Sequence, residues 1–407
     1  MRRFFSAGLG YTSRYAFIHI SYWPAVCSSF AFGAVFFLSK GYTNSQVGIV
    51  LAAASILAVL MQPMAASFAD RSARVSMKQL ILLITGMCVL LAVGRFFCSD
   101  IPVVPAILYV LEQGLSYSLQ PLINALGVRV MNYGAKINFG LSRGTGSLAY
   151  AVVSIALGLF LRIAKSDALP LFSVVFYLIL ALAVAKFPLP ENQPSVNTSR
   201  RFGSSKEDGG AKVKVRRKLD VRFILLLAAV VLVFCAQNMI SNYLIQIMKN
   251  VGGSADSVGI SNGISAAVEL PAMALFTFLV TKFRSSTLLR VSFAVFVCKA
   301  AATMLAPSVG ALYLVQCLQF GGYALFIPSS VYYANEVIPK ERLATGQAAL
   351  TSASTCGSVL ASILGGWLLD NFSVGIMLRV GVLVATAGCA LGVSAVKTVK
   401  RISDRAA

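Results

Sequence analysis

The amino-acid sequence predicts an all-α membrane protein whose twelve transmembrane helices form two pseudo-symmetric bundles of six. Composition, recurring apolar segments and a repeat between the halves predict this class. Of the 407 residues, 57% are hydrophobic and 12% are charged, and the mean hydropathy is +0.79. Soluble domains carry about 25% charged residues. A transmembrane β-barrel would show short alternating segments in place of continuous apolar ones.

The first half, residues 1–189, contains six apolar segments of about the 20 residues that a helix needs to cross a bilayer core. We place these spans near residues 13–39, 44–69, 77–98, 102–129, 138–162 and 167–187. The basic start MRRFF leads into a polar stretch and a full-length span without a small-residue cleavage site. We therefore expect no cleavable signal peptide.

Residues 190–220 separate the two halves. This segment is rich in Ser, Gly, Lys and Arg and nearly devoid of apolar residues, so it predicts a flexible cytoplasmic linker. The second half, residues 221–407, supplies spans near 221–248, 255–281, 286–306, 309–336, 343–369 and 373–396.

The two halves resemble each other in local sequence. The second span begins SQVGIVLAAAS (45–55) and the eighth begins DSVGISNGISA (256–266). The fourth contains QPLINAL (120–126) and the tenth IPSSVYY (327–333). Two parallel repeats of six spans are the pattern of the major facilitator transporters, whose solute site lies between the repeats near the middle of the membrane.

The cations predict the orientation. With both termini and the linker in the cytoplasm, most of the 35 Lys and Arg residues lie on that side, as the positive-inside rule requires. Two lie within spans, Arg143 and Lys299, and those on the outer side are Lys40, Arg95, Arg162, Lys165, Lys249 and Arg379. The net charge of +21 therefore needs no nucleic-acid partner.

The loop after the second span carries ADRSAR, residues 69–74. It resembles the superfamily's cytoplasmic signature G-x-x-x-D-R-x-G-R-K, with Asp70, Arg71 and Arg74 at the matching positions and alanine at both glycine positions. The resemblance implies a gating loop. The alternative is an ordinary positive-inside loop.

Within the superfamily the chain is similar to the oligosaccharide–proton symporters, the branch of lactose permease. The similarity is clearest in QPMAASFAD (62–70), NFGLSR (138–143) and VELPA (268–272). It implies that the family's sugar-binding arginine, stacking aromatic and sugar-binding glutamate fall on Arg143, Tyr150 and Glu269. The family's cation in the ninth span falls on Lys299.

Other family positions differ. The acidic galactoside ligand of the fourth span aligns with Asn124, and the proton-linked histidine and glutamate of the tenth align with Gln319 and Gly322. The buried ion pairs align with uncharged residues, Gln237, Ile240, Gln316 and Ser354. Loss of both partners avoids stranding a charge. Galactoside specificity and the family's proton relay therefore do not carry over.

Arg143 lies one turn inside the fifth span. An arginine deep in a span costs about 3 kcal/mol on insertion scales, so such residues usually face a bundle interior or a water-filled cavity. Tyr150 lies two turns further along the same face. Neighbouring glycines favour packing against protein, whereas snorkelling to lipid phosphates is the alternative.

Glu269 lies in the middle of the eighth span, two residues before Pro271. Because burial favours the neutral form of a carboxyl group, Glu269 is a candidate proton carrier. A permanent ion pair with Lys299 is the alternative.

Polar residues recur on single faces of three other spans, and they indicate a hydrated path between the halves or, alternatively, interhelical hydrogen bonds. They are Glu112, Ser116, Gln120 and Asn124 in the fourth span, Gln237 and Ser241 in the seventh, and Gln316, Gln319 and Tyr323 in the tenth. His19, the single histidine, is either a coupling group or a satisfied polar contact.

These features predict a secondary transporter that moves a small polar solute, a sugar or a related compound, by proton symport and alternating access. The predicted solute-binding residues are Arg143, Tyr150, Glu269, Asn124, Gln319 and Gln237, and the predicted proton-coupling residues are Glu269, Lys299, Glu112 and His19. An uncoupled facilitator and a proton-antiport exporter of amphipathic compounds are the alternatives. A membrane-embedded enzyme is disfavoured because the chain has no HExxH, Walker lysine or His–Asp pairing.

We expect a monomer in the cytoplasmic membrane of a bacterium, surrounded by lipid, with no cofactor and no metal. The eight cysteines lie in or at the ends of apolar segments and form no CxxC pair, so we expect neither disulfides nor metal ligands.

Overall fold

The computed structural model describes residues 2–71, 75–189, 221–338 and 343–398, and the regular structure there is helical. The α-helices are α1 (Arg2–Val26), α2 (Gly33–Ser39), α3 (Asn44–Arg71), α4 (Met77–Phe97), α5 (Val104–Asn132), α6 (Phe139–Phe160), α7 (Leu169–Ala185), α8 (Val221–Asn242), α9 (Leu244–Asn250), α10 (Ala255–Lys282), α11 (Ser285–Leu305), α12 (Val309–Gln316), α13 (Tyr323–Val337), α14 (Leu343–Asn371) and α15 (Val374–Ala395). A π-helical turn, Cys27–Ala31, joins α1 to α2, and short 3₁₀ turns occupy Ser166–Ala168 and Cys317–Gln319.

These helices form twelve spans, as predicted. Span 1 consists of α1, the π turn and α2; span 7 of α8 and α9; span 10 of α12, a 3₁₀ turn and α13; every other span is one helix. Within the described part of the chain, eleven spans are long and apolar enough to cross a membrane. Span 4, which is α5, is the twelfth and is more polar because it carries Glu112, Gln113, Gln120 and Asn124.

Helix caps determine where several spans begin. Ser76 and Gln79 form a capping box at the start of α4, in which the Ser76 hydroxyl accepts from the Gln79 amide N–H at 3.2 Å. At the start of α6 the Asn138 side-chain oxygen accepts from the Leu141 amide N–H at 3.0 Å. Such caps satisfy amide groups that the first helical turn leaves unpaired. The Asn138 cap therefore sets the depth of Arg143 in span 5.

The two halves repeat the same helix packing. In the first half span 1 packs on spans 5 and 6, span 3 packs on spans 4 and 6, and span 2 packs on span 4. In the second half span 7 packs on spans 11 and 12, span 9 packs on spans 10 and 12, and span 8 packs on span 10. Each half is thus a bundle of six, and the two bundles are related by a pseudo-twofold axis.

Two symmetry-related pairs of spans join the bundles, span 5 with span 8 and span 2 with span 11. We call the end of the molecule at which α2 ends and α3 begins the far end. There the backbones of Gly158 and Gly259 are in contact, because a Cβ placed on Gly158 would lie 2.8 Å from the Gly259 Cα. Small residues permit this approach of two helices.

Polar contacts reinforce the far end between the bundles. Arg162, two residues after the end of span 5, donates from Nε to the Asp256 carboxylate of span 8 at 2.8 Å. On the symmetry-related side, the Asp370 carboxylate of span 11 accepts from the amide N–H groups of Asn44 and Ser45 at 3.0 and 2.7 Å. In both pairs a carboxylate lies at the N-terminus of a helix, where the helix dipole stabilises negative charge.

The outer cations do not all stay at the surface. Lys40 lies at the far end, 2.7 Å from Asp100, and this ammonium holds the pKa of the Asp100 carboxyl below its usual range. Arg95, counted with the outer cations in the sequence, is instead buried within the first bundle and 1% exposed. The reason is an ion pair with Glu112.

Candidate functional site

A cavity of about 510 Å³ lies between the two bundles. Both halves contribute polar and aromatic side chains to its lining. Those of the first half are Trp23, Phe30, Tyr117, Gln120, Arg143, Ser147 and Tyr150. Those of the second half are Phe234, Gln237, Asn238, Ser241, Asn242, Asn262, Ser265, Glu269, Lys299, Gln316, Gln319 and Tyr323. This mixture of ring faces and convergent polar groups is typical of small-molecule sites.

Arg143 of span 5 supplies a cation to this cavity. Its guanidinium lies over the Trp23 ring, 5.6 Å from the ring centroid. Among the described residues it forms no ion pair and no hydrogen bond, so its planar set of donors faces the cavity unused. Gly146 makes this arrangement possible, because a Cβ at that position would overlap the Trp23 indole. The cavity interpretation of Arg143 therefore describes its position better than snorkelling does.

Tyr150 lines the same cavity two turns along span 5. Ser147 lies between Arg143 and Tyr150 at helical spacing and also lines it. Span 5 thus presents a cation, a hydroxyl and an aromatic ring on one face. An arginine with neighbouring rings suits a solute that has both polar edges and an apolar face.

The second bundle contributes two opposite charges that a neutral amide connects. The Lys299 ammonium donates to Gln319 Oε1 at 2.6 Å, and Gln319 Nε2 donates to Glu269 Oε1 at 3.2 Å. Gln237 Nε2 lies 3.5 Å from Gln319 Oε1. Lys299 and Glu269 are therefore connected by a chain of hydrogen bonds through Gln319. They do not form the direct ion pair that was one of the two interpretations of the sequence.

Gln319→Leu is expected to break this chain. Each charged group would lose a hydrogen bond, and hydrogen bonds to charged groups contribute about 1.5–3 kcal/mol each. We expect a lower melting temperature in detergent and loss of solute binding, both measured by thermal shift. Gln347→Leu is the matched control, because Gln347 bonds Asn335 away from the cavity. Equal melting temperatures for the two variants would contradict a structural role of Gln319.

The cavity is lined by all but one of the predicted solute-binding residues, namely Arg143, Tyr150, Glu269, Gln319 and Gln237. The exception is Asn124. Of the other residues predicted for proton coupling, Lys299 lines the cavity, whereas Glu112 and His19 do not. His19 is 1% exposed and packs edge-on against Tyr15, with ring centroids 4.9 Å apart. Their predicted roles stay predictions. In the loop motif, Asp70 and Arg71 end α3, and Arg74 lies outside the described residues.

Sequence reasoning missed several lining residues. Asn262 and Ser265 lie on the same face of span 8 as Glu269. Their spacing of three and four residues was a signal that could have identified them. Ser265 also donates to Gln316 Oε1 at 2.8 Å, which connects spans 8 and 10. Phe30 and Tyr117 carry no such signal, because apolar and aromatic residues in a span mostly face lipid or core.

No cluster of His, Cys, Asp or Glu among the described residues has the arrangement of a metal site. The charged groups of the cavity are two cations and one carboxylate. This set can hold a polar solute by hydrogen bonds and can exchange a proton at Glu269.

Comparison with known proteins gives the following relatives. A model of the MFS_1 like family matches residues 12–380. The maltose permease of Geobacillus stearothermophilus is 26% identical over 362 residues, which cover 85% of this chain and 86% of that protein. The uncharacterized transporter YwbF of Bacillus subtilis is 22% identical over 342 residues, covering 82% and 80%.

Solved structures have the same fold. The nucleoside transporter NupG superposes with a TM-score of 0.70 at 16% identity and covers 94% of this chain and 98% of its own. An auto-inhibited POT family peptide transporter superposes with a TM-score of 0.73 at 10% identity, covering 96% and 98%. At these identities the likeness concerns the fold alone.

Proposed function

Because the chain belongs to the MFS_1 like family of major facilitator transporters, we propose that it carries a small sugar across the membrane by proton symport. It is a multi-pass membrane transporter of a small-molecule solute and not an enzyme. The observation that carries the proposal is the cavity between the bundles, in which Arg143 and Trp23 face the chain Lys299–Gln319–Glu269.

The chemistry of the cavity favours a sugar. Arg143 and Glu269 provide donors and acceptors for hydroxyl groups, and Trp23 and Tyr150 provide rings for the apolar face of a pyranose. The relatedness to a maltose permease supports this class. A nucleoside is the second candidate, because its base offers a ring to stack and its ribose offers hydroxyls, and the fold is shared with a nucleoside transporter.

We place both termini in the cytoplasm of a bacterial cell and treat the protein as a monomer in lipid. In that orientation the far end faces outward, and the contacts between spans 5 and 8 and between spans 2 and 11 close the cavity to the outside. The present conformation is then the inward-facing state. Alternating access requires these contacts to separate, and the loop of Asp70, Arg71 and Arg74 acts at the opposite gate.

Proton coupling is assigned to Glu269. An ionised carboxylate only accepts hydrogen bonds, whereas the protonated form also donates one. Protonation therefore weakens the hydrogen bond that Glu269 accepts from the Gln319 amide and adds a donor for a solute. Lys299, held by Gln319, stabilises the ionised form across the same chain.

Transport by purified protein in proteoliposomes tests this proposal. Radiolabelled maltose and uridine are the probes, each measured with and without an inward proton gradient, and protein-free liposomes are the control. We expect maltose to accumulate only with the gradient and uridine not to enter. Maltose uptake that is the same with and without the gradient would exclude proton coupling. Saturable uptake of uridine, with no uptake of maltose, would indicate that the solute is a nucleoside.

A further inference from the structure

The first bundle contains an ion pair that lies outside the cavity. Arg95 of span 3 and Glu112 of span 4 approach to 3.1 Å, and their side chains are 1% and 0% exposed. The guanidinium also lies 5.4 Å from the ring centroids of both Phe36 and Tyr109. Removing two charges from water often costs more than their attraction returns, so a buried pair is weak evidence for a role in stability alone.

The pair has a third partner, Ser29. Its hydroxyl donates to Glu112 Oε1 at 2.6 Å. Ser29 belongs to the π turn that interrupts span 1 after Pro24. It also lies 3.0 Å from the Ser173 hydroxyl of span 6. The carboxylate of Glu112 therefore ties the π turn to spans 3 and 4, and Ser173 ties it to span 6.

The other face of the same turn forms part of the cavity wall. Phe30 and Ala31 of the turn line the cavity, as does Val26 just before it. The Phe30 ring packs edge-on against Tyr117, another lining residue, with centroids 5.8 Å apart. A π turn has one residue more than an α turn and often occurs at functional sites. Ser29 is covalently joined to Phe30, so its bond to Glu112 holds the segment that forms this part of the cavity wall.

We propose that Arg95 and Glu112 are positioning residues that hold the cavity wall of span 1 through the Ser29 hydroxyl. The Arg95 guanidinium lies 3.1 Å from Glu112 Oε2, which leaves Oε1 of the same carboxylate to accept from Ser29. This assigns Glu112 a role different from the proton coupling that its sequence position predicted. The part of the proposal that concerns solute affinity rests on the proposed function of the cavity.

A pair of neighbouring hydroxyl deletions tests the proposal, Ser29→Ala against Ser28→Ala. Ser28 bonds Ala25 O and Ser173 but not Glu112. We expect Ser29→Ala to raise the KM for maltose about fivefold to tenfold with little change in maximal rate, because it loses a bond to a charged acceptor. Ser28→Ala loses only neutral bonds, which are weaker, and is expected to change KM less than about twofold.

A second measurement needs no solute. The chain has two tryptophans, Trp23 and Trp367. The Trp367 side chain lies at the surface of the protein and is 49% exposed. In a Trp367→Phe background, emission and acrylamide quenching report Trp23 alone, six residues before Ser29 on the same span. Ser29→Ala is expected to change both, and Ser28→Ala is expected to change neither. The outcome of this measurement does not depend on whether maltose is the solute.

The conservative variant is Arg95→Met combined with Glu112→Gln, which removes both charges together and keeps an acceptor for Ser29. We expect its Trp23 emission and its KM to stay close to those of the parent protein. Loss of gradient-driven accumulation with intact counterflow would overturn the proposal and make Glu112 a proton carrier. Identical KM and emission for Ser29→Ala and Ser28→Ala would also overturn it.

Discussion

Replacing Arg143 by alanine is expected to abolish maltose binding and transport without unfolding the protein. The guanidinium has no ion-pair or hydrogen-bond partner among the described residues, so its removal strands no charge. A solute held by two charge-assisted bonds would lose about 1.5–3 kcal/mol for each. We therefore expect the affinity to fall about 100-fold or more. The measurement is the maltose-induced thermal shift of purified protein, followed by counterflow.

Two further variants test this prediction, one that keeps the charge at position 143 and one that removes an arginine elsewhere. Arg143→Lys keeps the charge but loses the planar pair of donors, so its affinity should lie between those of the parent and the alanine variant. Arg379→Ala removes an exposed arginine from α15 and should bind maltose normally. An unchanged maltose-induced shift in Arg143→Ala would remove Arg143 from the solute site.

Gly259→Val is expected to hold the two bundles apart at the far end. A Cβ at this position would overlap the Ser154 carbonyl oxygen and lie 2.7 Å from the Gly158 Cα. Because both obstacles are backbone atoms, a side chain can be accommodated only if spans 5 and 8 separate. Alternating access needs this end to close in each cycle, so transport should be lost while solute binding persists.

Distance measurement between spin labels checks this result directly. Cysteines at Lys165 and Lys249, exposed residues of the first and second halves near the far end, carry the labels after the native cysteines are replaced. We expect Gly259→Val to shift the distance distribution to longer values. Gly86→Val is the matched control, because no atom lies within 4 Å of a Cβ at Gly86. An unchanged distribution in Gly259→Val would show that this contact does not govern closure.

Much of the fold was predictable because its constraints are local. Each span must satisfy its backbone hydrogen bonds within itself in lipid, and an apolar segment of the required length shows this without knowledge of its neighbours. The predicted span 77–98 and the observed α4, Met77–Phe97, differ by one residue at one end. The repeat between the halves likewise predicted two bundles, since equal patterns of spans pack in equal ways.

The candidate site was only partly predictable. Arg143 and Glu269 were identifiable because a charge within an apolar span must face protein or water. The polar stripe of span 4 did not show by itself which of its residues face the cavity. Gln120 lines the cavity, whereas Glu112 on the same stripe meets Arg95 inside the first bundle. A stripe that slants around a helix reaches two different environments, and periodicity does not distinguish them.

By itself, then, the sequence determined that the chain crosses a membrane in two sets of six helices and that the charges of Arg143, Glu269 and Lys299 had to be sheltered from lipid, because hydrophobicity along one segment decides both. Only the tertiary structure decided which sheltered charges meet. Arg95 pairs with Glu112, and Gln319 lies between Lys299 and Glu269. These partners come from different helices, so their distances depend on how the spans pack and not on their order in the chain.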